Sequence, residues 1–386
     1  MKKLIYALVI FPMIIYSQID YQINIDKTDI NFSRKDNYDI IEISKFDLSG
    51  TTAAPYLPIK TFGFIIPNDQ KVIGIKINYI EEDELDGKFK IYPTQPESII
   101  DYEWLNLKEN KFTEPDKNIY EKDEVYPARV VENTGFQYFS GAKISSIVFN
   151  PLRYNPVTGV VKYVKSIKIT LILGNDVDNC IKPLRLSERS AQSIKKRILN
   201  LVENSQDIDQ YYQVDEINVE LNKTESFNPT EIPSLVGNNI DYVIITNEEL
   251  KERFQQISDW KTKKGLPAVV RTVEWINNHY AGCDGAEKIR NFIIDANIKW
   301  GTIWFLLGGD ENIVPLRYVW HSPWDHWQLL DLKPNGEFIP SDMYFACLDG
   351  NWNADGDATF GEGSYNRNND GTFSLWEITQ ELIMLI

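Results

Sequence analysis

The sequence predicts an all-β, sandwich-like region followed by an α/β region with an open, mostly parallel sheet. Residues 18–178 hold short, aromatic-rich strands separated by turn residues. Residues 236–386 begin with short apolar runs that alternate with amphipathic helices, which is typical of strands buried on both faces. Residues 179–235 between them are first basic and then polar, which indicates a linker.

The N-terminus has the features of a secretory signal peptide. Lys2 and Lys3 supply the positive charge, an apolar core runs from Leu4 to Ile15, and Ser17 precedes the expected cleavage point. The core is shorter than the roughly 20 residues that a membrane-spanning helix needs, and no later run is long enough. We therefore expect residues 1–17 to be removed, and the protein to be secreted or held at the cell surface without a membrane span.

The composition excludes one class of partner. The chain has 56 Asp and Glu against 40 Lys and Arg, which gives a formal net charge of −16. Nucleic-acid binding needs a basic surface, so we expect none. The cysteines, Cys180, Cys283 and Cys347, lie far apart and predict neither a disulfide framework nor a zinc site.

In the β-rich region the sequence predicts two hairpins. The first joins Thr61–Ile66 to Val72–Ile80 through a polar turn. The second joins residues 144–154 to residues 160–173 through Asn155-Pro-Val-Thr-Gly159. Its second arm alternates apolar and polar residues, which predicts a half-buried strand with Ile167, Ile169, Leu171 and Leu173 facing the core.

The linker carries a basic stretch that can be interpreted in two ways. Leu184–Leu201 predicts a helix with Ile194, Ile198 and Leu201 on its apolar side. Its basic residues are Arg185, Arg189, Lys195, Lys196 and Arg197. The stretch is either an exposed, protease-sensitive connection between folded units or an ordinary solvated helix.

The α/β region predicts three strands, Asp241–Thr246, Pro267–Val273 and Trp304–Leu307. Between the first two, Thr246 and Glu249 have the spacing of a capping box for a helix that begins near Asn247. The inner face of that helix should carry Leu250, Phe254, Ile257 and Trp260.

A second capping box, Asp284 with Glu287, predicts the helix before the third strand. Its inner face should carry Ile289, Ile293, Ala296 and Trp300.

An acidic loop follows and fits the twelve-residue calcium-loop spacing, with Gly356 at the sharp turn. The oxygen ligands at the template positions are Asn351, Asn353, Asp355, Asp357, Thr359 and Glu362. Asn351 stands where the template prefers Asp, so we expect weak calcium binding, and Asp349 could add a ligand. The alternative is a solvated turn that binds nothing.

No catalytic constellation is evident. His279 and Cys283 are the nearest approach to a dyad, and His321 with His326 could hold a metal, although neighbouring tryptophans favour a packed surface. Cys347 should be a buried apolar residue after a strand that begins near Met343. Gly308-Gly-Asp-Glu311 lies at the carboxyl edge of the predicted sheet, either as a ligand subsite or, as we favour, as the cap of the following turn.

Several motifs, in this order, resemble the start of a gingipain-type cysteine peptidase domain. They are Asp241-Tyr-Val-Ile-Ile-Thr, Trp260-Lys-Thr-Lys-Lys-Gly265, Leu306-Leu-Gly-Gly-Asp310 with Pro315, Ser341-Asp342 with Tyr344, Leu348-Asp-Gly-Asn-Trp-Asn-Ala-Asp-Gly-Asp357 and Gly361-Glu362. The region around Asn155–Gly159 resembles the N-terminal propeptide of that family.

The resemblance implies a secreted zymogen in which an inhibitory β prodomain contacts a caspase-like α/β peptidase that cleaves proteins or peptides. Its Cys nucleophile and His base belong to a later part of the domain. No matching segment occurs here, so no catalytic residue is assigned and we expect a truncated, inactive product. The alternative from another class is a secreted adhesin or inhibitor that binds through its β domain.

Overall fold

The computed structural model describes residues 17–96, 112–212, 227–321, 337–353 and 360. The chain forms two compact units. The first comprises residues 1–63, 69–135 and 145–177, and the second comprises residues 64–68, 136–144 and 178–386. No described helix is long and apolar enough to cross a membrane.

The first unit is built mainly from strands, some of which continue into residues counted with the second unit. They are β1 (Gln18–Asn24), β2 (Ile30–Lys35), β3 (Tyr38–Ile43), β4 (Asp47–Ser49), β5 (Leu57–Ile66), β6 (Gln70–Glu84), β7 (Val131–Phe139), β8 (Ala142–Phe149), β9 (Leu152–Asn155) and β10 (Val160–Asn175). One short helix, α1 (Lys117–Tyr120), lies between β6 and β7.

Strand β10 organises the main sheet of this unit. It pairs antiparallel with β1, β6 and β9, and the sheet order is β1-β10-β6. The predicted core face is confirmed, because its four apolar side chains are at most 1% exposed, but the alternation fails at Thr170, which is also buried at 5% exposed. A second sheet has the order β4-β5-β8-β7, and β2 pairs with β3.

The first predicted hairpin is wrong in its pairing. Strands do form there, but β5 belongs to the β4-β5-β8-β7 sheet whereas β6 pairs with β10. That pairing extends from Gln70–Asn175 to Glu84–Lys162, so it provides a far longer ladder than a local hairpin could.

The second predicted hairpin is confirmed only in its shorter part. The first arm ends as β8 at Phe149 and resumes as β9 at Leu152, after Pro151, which has no backbone N–H to donate. Only β9 pairs with β10, with Asn155 opposite Val160. The Asn155 side chain accepts hydrogen bonds from two backbone amides of the turn, at 3.1 Å each.

The second unit has the predicted α/β order. Its elements are α2 (Glu188–Leu201), α3 (Ile208–Tyr211), β11 (Tyr242–Thr246), α4 (Lys251–Lys263), β12 (Ala268–Thr272), α5 (Val273–His279), α6 (Gly285–Trp300), β13 (Trp304–Leu307), β14 (Tyr318–His321), β15 (Glu337–Pro340) and α7 (Met343–Ala346).

All three predicted strands form, and they make one parallel sheet of order β12-β11-β13. On one face, Val243 and Ile245 pack into a core with helices α5 and α6. On the other face, the Arg197 guanidinium of α2 lies 4.6 Å from the Trp304 ring and the Lys261 ammonium of α4 lies 4.5 Å from the Tyr242 ring. The sheet is therefore covered by helices on both sides, which explains why the sequences of its strands are continuous apolar runs.

The two predicted capping boxes have different outcomes. Asp284 is the N-cap of α6 and accepts a hydrogen bond from the Glu287 amide at 2.9 Å, as predicted. The Thr246 box is wrong, because the Thr246 hydroxyl is buried and donates to the Gly308 carbonyl at 2.6 Å. Asn247 instead accepts from the Leu250 amide, and α4 begins only at Lys251.

The predicted inner faces of the two helices also differ in outcome. In α6 all four predicted positions are buried, so that prediction is confirmed. In α4 the prediction is wrong for Ile257 and Trp260, which are 39% and 55% exposed, while Ser258 is buried. The packed side of α4 is rotated toward Phe254 and Ser258, because Gly308 leaves room there for the Phe254 ring.

The predicted strand near Met343 is wrong as well. Residues 343–346 form the short helix α7 instead, and the Cys347 amide closes its last turn on the Met343 carbonyl. The prediction that Cys347 is buried is confirmed, since the residue is 2% exposed and lies in the same core as Val243 and Ile245.

Candidate functional site

The carboxyl edge of the sheet is shaped by two glycines. A Cβ on Gly308 would lie 2.7 Å from the Phe254 ring. Gly309 has a φ of +154°, and the Ile313 side chain packs against it. Asp310 then accepts a hydrogen bond from the Asn312 amide at 3.0 Å, and its carbonyl accepts from Val314. These contacts support the capping role for Asp310 over a ligand subsite.

His279 and Cys283 do not have the chemistry of a catalytic dyad. The His279 ring stacks on Trp275 at 4.2 Å between centroids, and its Nδ1 lies 2.7 Å from the Trp275 carbonyl. A hydrogen bond with the Glu287 carboxylate and partial burial raise the pKa of the Cys283 thiol. An activated thiol needs a lowered pKa, so this neighbourhood disfavours the nucleophile.

The other histidine pair is only partly described. His321 ends strand β14, and His326 lies outside the described residues. Among the described residues, no group of three or more His, Cys, Asp or Glu side chains could hold a metal ion.

Arg290 holds the segment that leads into the acidic loop. Its guanidinium donates to the carbonyl oxygens of Tyr344, Cys347, Leu348 and Gly350, at 2.8–3.0 Å. Desolvation of the guanidinium lowers its pKa. Four carbonyl dipoles offset that cost, so the backbone after α7 is fixed by one side chain from α6.

A second arginine ties the same segment to the N-terminus of α6. Arg317 is 6% exposed and forms a bidentate pair with the Asp284 carboxylate at 2.8 and 2.9 Å. Its guanidinium also lies 4.6 Å from the Tyr344 ring centre. Burial alone would raise the pKa of Asp284, but the Arg317 hydrogen bonds and charge, with the Glu287 amide, hold that pKa below its usual value.

Asp349 stands at the entrance to the acidic loop. Its carboxylate accepts a hydrogen bond from the Ile181 backbone amide. Burial raises its pKa to about 6, although this hydrogen bond and the nearby Arg290 act in the opposite direction. One Asp349 oxygen is thus committed to residues far away in the sequence, which makes it a poor additional calcium ligand.

Only the start of the predicted calcium loop lies within the described residues. Asn351 accepts a hydrogen bond from the Asn353 amide at 3.1 Å, and Trp352 packs into the core. The remaining ligand positions, Asp355, Asp357, Thr359 and Glu362, lie outside the described residues. Calcium binding by this loop stays a prediction.

Residues 181–190, which sequence composition places in the linker, are bound tightly to the α/β unit. Arg185 is 1% exposed, and its guanidinium donates four hydrogen bonds, at 2.9–3.1 Å. The acceptors are the carbonyl oxygens of Ser234, Leu235, Gly237 and Asn238.

Helix α2 is anchored at its start and along its length. The Ser187 and Ser190 hydroxyls donate to the Asp241 carboxylate at 2.6 and 2.9 Å, and burial raises the pKa of Asp241 despite these bonds. Ile194 and Ile198 are buried as predicted, whereas Leu201 is 42% exposed. The basic helix is therefore neither a free connection nor a wholly solvated surface.

Sequence reasoning missed most of these anchoring residues. Arg185, Arg290 and Arg317 occupy no recognisable motif, and each finds its partners in residues distant along the chain. Asp349 lies within the Leu348–Asp357 motif, but the sequence suggested it as a metal ligand and not as the partner of the Ile181 amide. The only local signal is the Asp284 capping box, which locates one partner of Arg317.

Comparison with known proteins gives two family matches. The C25 propeptide model (Propeptide_C25) matches residues 13–209, just over half of the chain, and the model of peptidase family C25 matches residues 236–372. No curated protein matches the chain.

Two solved structures from Porphyromonas gingivalis are similar. A complex of RgpB pro- and mature domains is 15% identical, covering 42% of this chain and 80% of that chain, with a TM-score of 0.35. A structure concerning the zymogenic latency of gingipain K is 15% identical, covering 41% of this chain and 88% of that chain, with a TM-score of 0.34. TM-scores this low carry no argument about the details of this structure.

The family matches show which two regions of the chain are joined by the contacts of residues 181–190. Arg185, Ser187 and Ser190 lie within the propeptide match, while Gly237, Asn238 and Asp241 lie within the peptidase match. Propeptide and peptidase residues are therefore in direct contact within one chain. Because the propeptide match covers more than half of the chain and the peptidase match follows it in order, the protein belongs to the gingipain-type peptidases of family C25.

Proposed function

We propose that this protein is a secreted, zymogen-like member of the C25 cysteine endopeptidases, with the sandwich-like β region as its inhibitory propeptide. The observation that carries the proposal is the contact between propeptide-matched and peptidase-matched residues around Arg185 and Asp241. The reaction of an active enzyme of this class is acyl transfer through a cysteine thiolate, which attacks a peptide carbonyl with the help of a histidine base.

We further propose that the chain is inactive on its own. Cys283 has a raised pKa, and Cys347 is buried in an apolar core. His279 is stacked on Trp275 and directs one ring nitrogen to a backbone carbonyl. These three residues do not combine an accessible thiolate with an oriented base, which nucleophilic catalysis requires.

The test is hydrolysis of fluorogenic arginine and lysine peptides by the purified chain under reducing conditions. We expect no thiol-dependent turnover. Cys283→Ala and Cys347→Ala serve as matched variants, because activity that is lost in either one would identify a working nucleophile and contradict the proposal. Capture of a mature cysteine peptidase by the isolated chain, without turnover, would favour the inhibitor alternative instead.

The loop from Asn351 to Glu362 is proposed as a calcium site in which the bound ion would hold the segment after α7 in place. Its support is the template spacing and the rigid Arg290 anchor immediately before it. Calorimetric titration of the full chain should give a dissociation constant on the order of 10⁻⁴ to 10⁻³ M.

Matched variants define the calcium test. Asp355→Asn and Glu362→Gln should abolish the binding heat, whereas Asp259→Asn on the exposed side of α4 should leave it unchanged. A flat titration of the unmodified chain up to millimolar calcium would remove the proposal.

A further inference from the structure

The face of the parallel sheet opposite Val243 carries a pair of aromatic side chains. Tyr242 is the first residue of β11 and Trp304 is the first residue of β13, and the two are partners in the parallel ladder. Side chains alternate between the two faces of a sheet, so both rings lie on the face away from Val243. Neither residue is fully buried. This end of the sheet therefore presents aromatic surface toward helices α2 and α4.

A cavity lies over this aromatic pair, and we call it the α2–α4 cleft. Its volume is about 550 Å³, and Tyr242, Trp304 and Leu306 contribute to its lining. Helix α2 adds Ser193, and Leu266, which follows α4, adds a further apolar side chain. Small-molecule sites have volumes in this range and combine mostly apolar walls with a few polar groups. The α2–α4 cleft has both properties.

Two cations line the α2–α4 cleft, Arg189 from α2 and Lys261 from α4. The Lys261 ammonium lies 4.5 Å from the centre of the Tyr242 ring, and this cation–π contact holds it beside the cavity. Neither cation forms a salt bridge with any residue that the structure describes. The described part of the lining contains no Asp or Glu either. The positive charge is therefore not neutralised by any described side chain of the lining.

One carboxylate outside this lining reduces the charge but does not cancel it. Asp241 interacts electrostatically with Arg189. It is 1% exposed, and its Oδ1 already accepts hydrogen bonds from the Ser187 and Ser190 hydroxyls at 2.6 and 2.9 Å. Asp241 balances one of the two cations at most, so a net positive charge faces the cavity. Such a charge beside apolar walls attracts an anion with a single negative charge.

We propose that the α2–α4 cleft binds a small organic carboxylate, whose charged group contacts Arg189 and Lys261 and whose flat apolar body lies against Trp304 and Leu306. Guanidinium and ammonium groups both donate charge-assisted hydrogen bonds to carboxylate oxygens. Ser193 lies four residues after Arg189 on the same helix, so its hydroxyl is a further donor on that side. The apolar lining removes the body of the ligand from water.

The ligand would connect the two family regions of the chain. Arg189 and Ser193 lie within the propeptide match, whereas Tyr242, Lys261 and Trp304 lie within the peptidase match. A carboxylate in the α2–α4 cleft would therefore stabilise the contact between propeptide and peptidase residues. The inference concerns binding alone and does not depend on the proposed peptidase activity.

Calorimetric titration of the full chain with naphthoate at neutral pH tests the proposal. Naphthoate joins one carboxylate to a flat apolar ring system, and naphthylmethanol is its neutral counterpart of similar shape. We expect saturable binding of naphthoate with a dissociation constant below about 1 mM, and binding of naphthylmethanol that is weaker by about tenfold or more. Added salt should weaken the binding of naphthoate. Absence of saturable binding, or equal binding of the two compounds, would overturn the proposal.

Protein variants locate the site. Arg189→Met and Lys261→Met each remove one charge at similar side-chain length, and each should lower the affinity for naphthoate by about tenfold. Lys196→Met and Lys264→Met are the matched controls, because both lysines are exposed and neither lines the cleft. Lost affinity in either control, or unchanged affinity in Arg189→Met or Lys261→Met, would place the ligand elsewhere and overturn the proposal. Should a variant fail to fold, the comparison of naphthoate with naphthylmethanol on the unmodified protein decides.

Discussion

Two segments of the α/β unit reverse the burial that their compositions suggest. Residues 181–190 are basic, yet Arg185 is 1% exposed. Helix α4 carries apolar residues at helical spacing, yet Trp260 is 55% exposed and Ser258 is fully buried. The difference shows that burial follows the available partners: four carbonyl oxygens lie around Arg185, whereas no described neighbour covers the outer face of α4.

The largest expected effect comes from removing the arginine. Arg185→Met leaves the carbonyl oxygens of residues 234–238 without their donor, and should lower the free energy of unfolding by about 3–5 kcal/mol. Urea denaturation followed by tryptophan fluorescence measures this. Lys196→Met, on the exposed side of α2, is the matched control and should change stability by less than about 0.5 kcal/mol. Equal effects of both substitutions would show that Arg185 is not a structural anchor.

The next effect is a pH dependence of stability at Asp349, which contacts the Ile181 amide at the start of residues 181–190. The pKa of Asp349 is raised to about 6 in the folded state, from 3.8, so the folded protein binds more protons than the unfolded chain between these values. The contribution of Asp349 is therefore most favourable at low pH and is lost as pH rises through about 6, by about 3 kcal/mol.

Asp349→Asn isolates this effect, because the amide oxygen can still accept from Ile181 but cannot ionise. By urea denaturation, the variant should be more stable than the unmodified protein at pH 8, and this advantage should shrink steadily as pH falls to about 3.5. Asp284, whose pKa is lowered, has the opposite sign: its contribution is lost as pH falls. A constant difference between the Asn variant and the unmodified protein across this pH range would contradict the assignment.

A smaller effect tests the buried side of α4. Ser258→Leu adds volume at a side chain that is fully buried, so it should cost about 1–3 kcal/mol. Ser258→Ala is the matched control and should be close to neutral, because the Ser258 hydroxyl is buried without a hydrogen bond to any described residue. Thermal denaturation of both variants distinguishes the two; a neutral Leu variant would mean that this side of α4 is loosely packed.

The smallest effect tests the exposed side of helix α4. Trp260→Ala should change the free energy of unfolding by no more than about 0.5 kcal/mol, since most of the ring already contacts solvent. Phe254→Ala, on the packed side against Gly308, should cost about 2 kcal/mol. If Trp260→Ala were the more harmful of the two in urea denaturation, the interior face predicted from the sequence would be the true one.

Local signals in the sequence determined several elements of the α/β unit. The strand at Trp304–Leu307, the buried face of α6 and its Asp284 cap are as predicted, because each depends on residues within a few positions of one another. The order of motifs also indicated the C25 family, which the two family matches show. The calcium loop rests on the same kind of local spacing and stays a prediction.

Tertiary structure alone decided the pairing of β6 with β10, the burial of Arg185 and the Asp349 contact with Ile181. The partners of these residues lie about 50 to 170 positions away, so no window of sequence contains both sides of the interaction. A charged side chain is buried where folding brings enough backbone acceptors around it, and that condition is a property of the assembled chain.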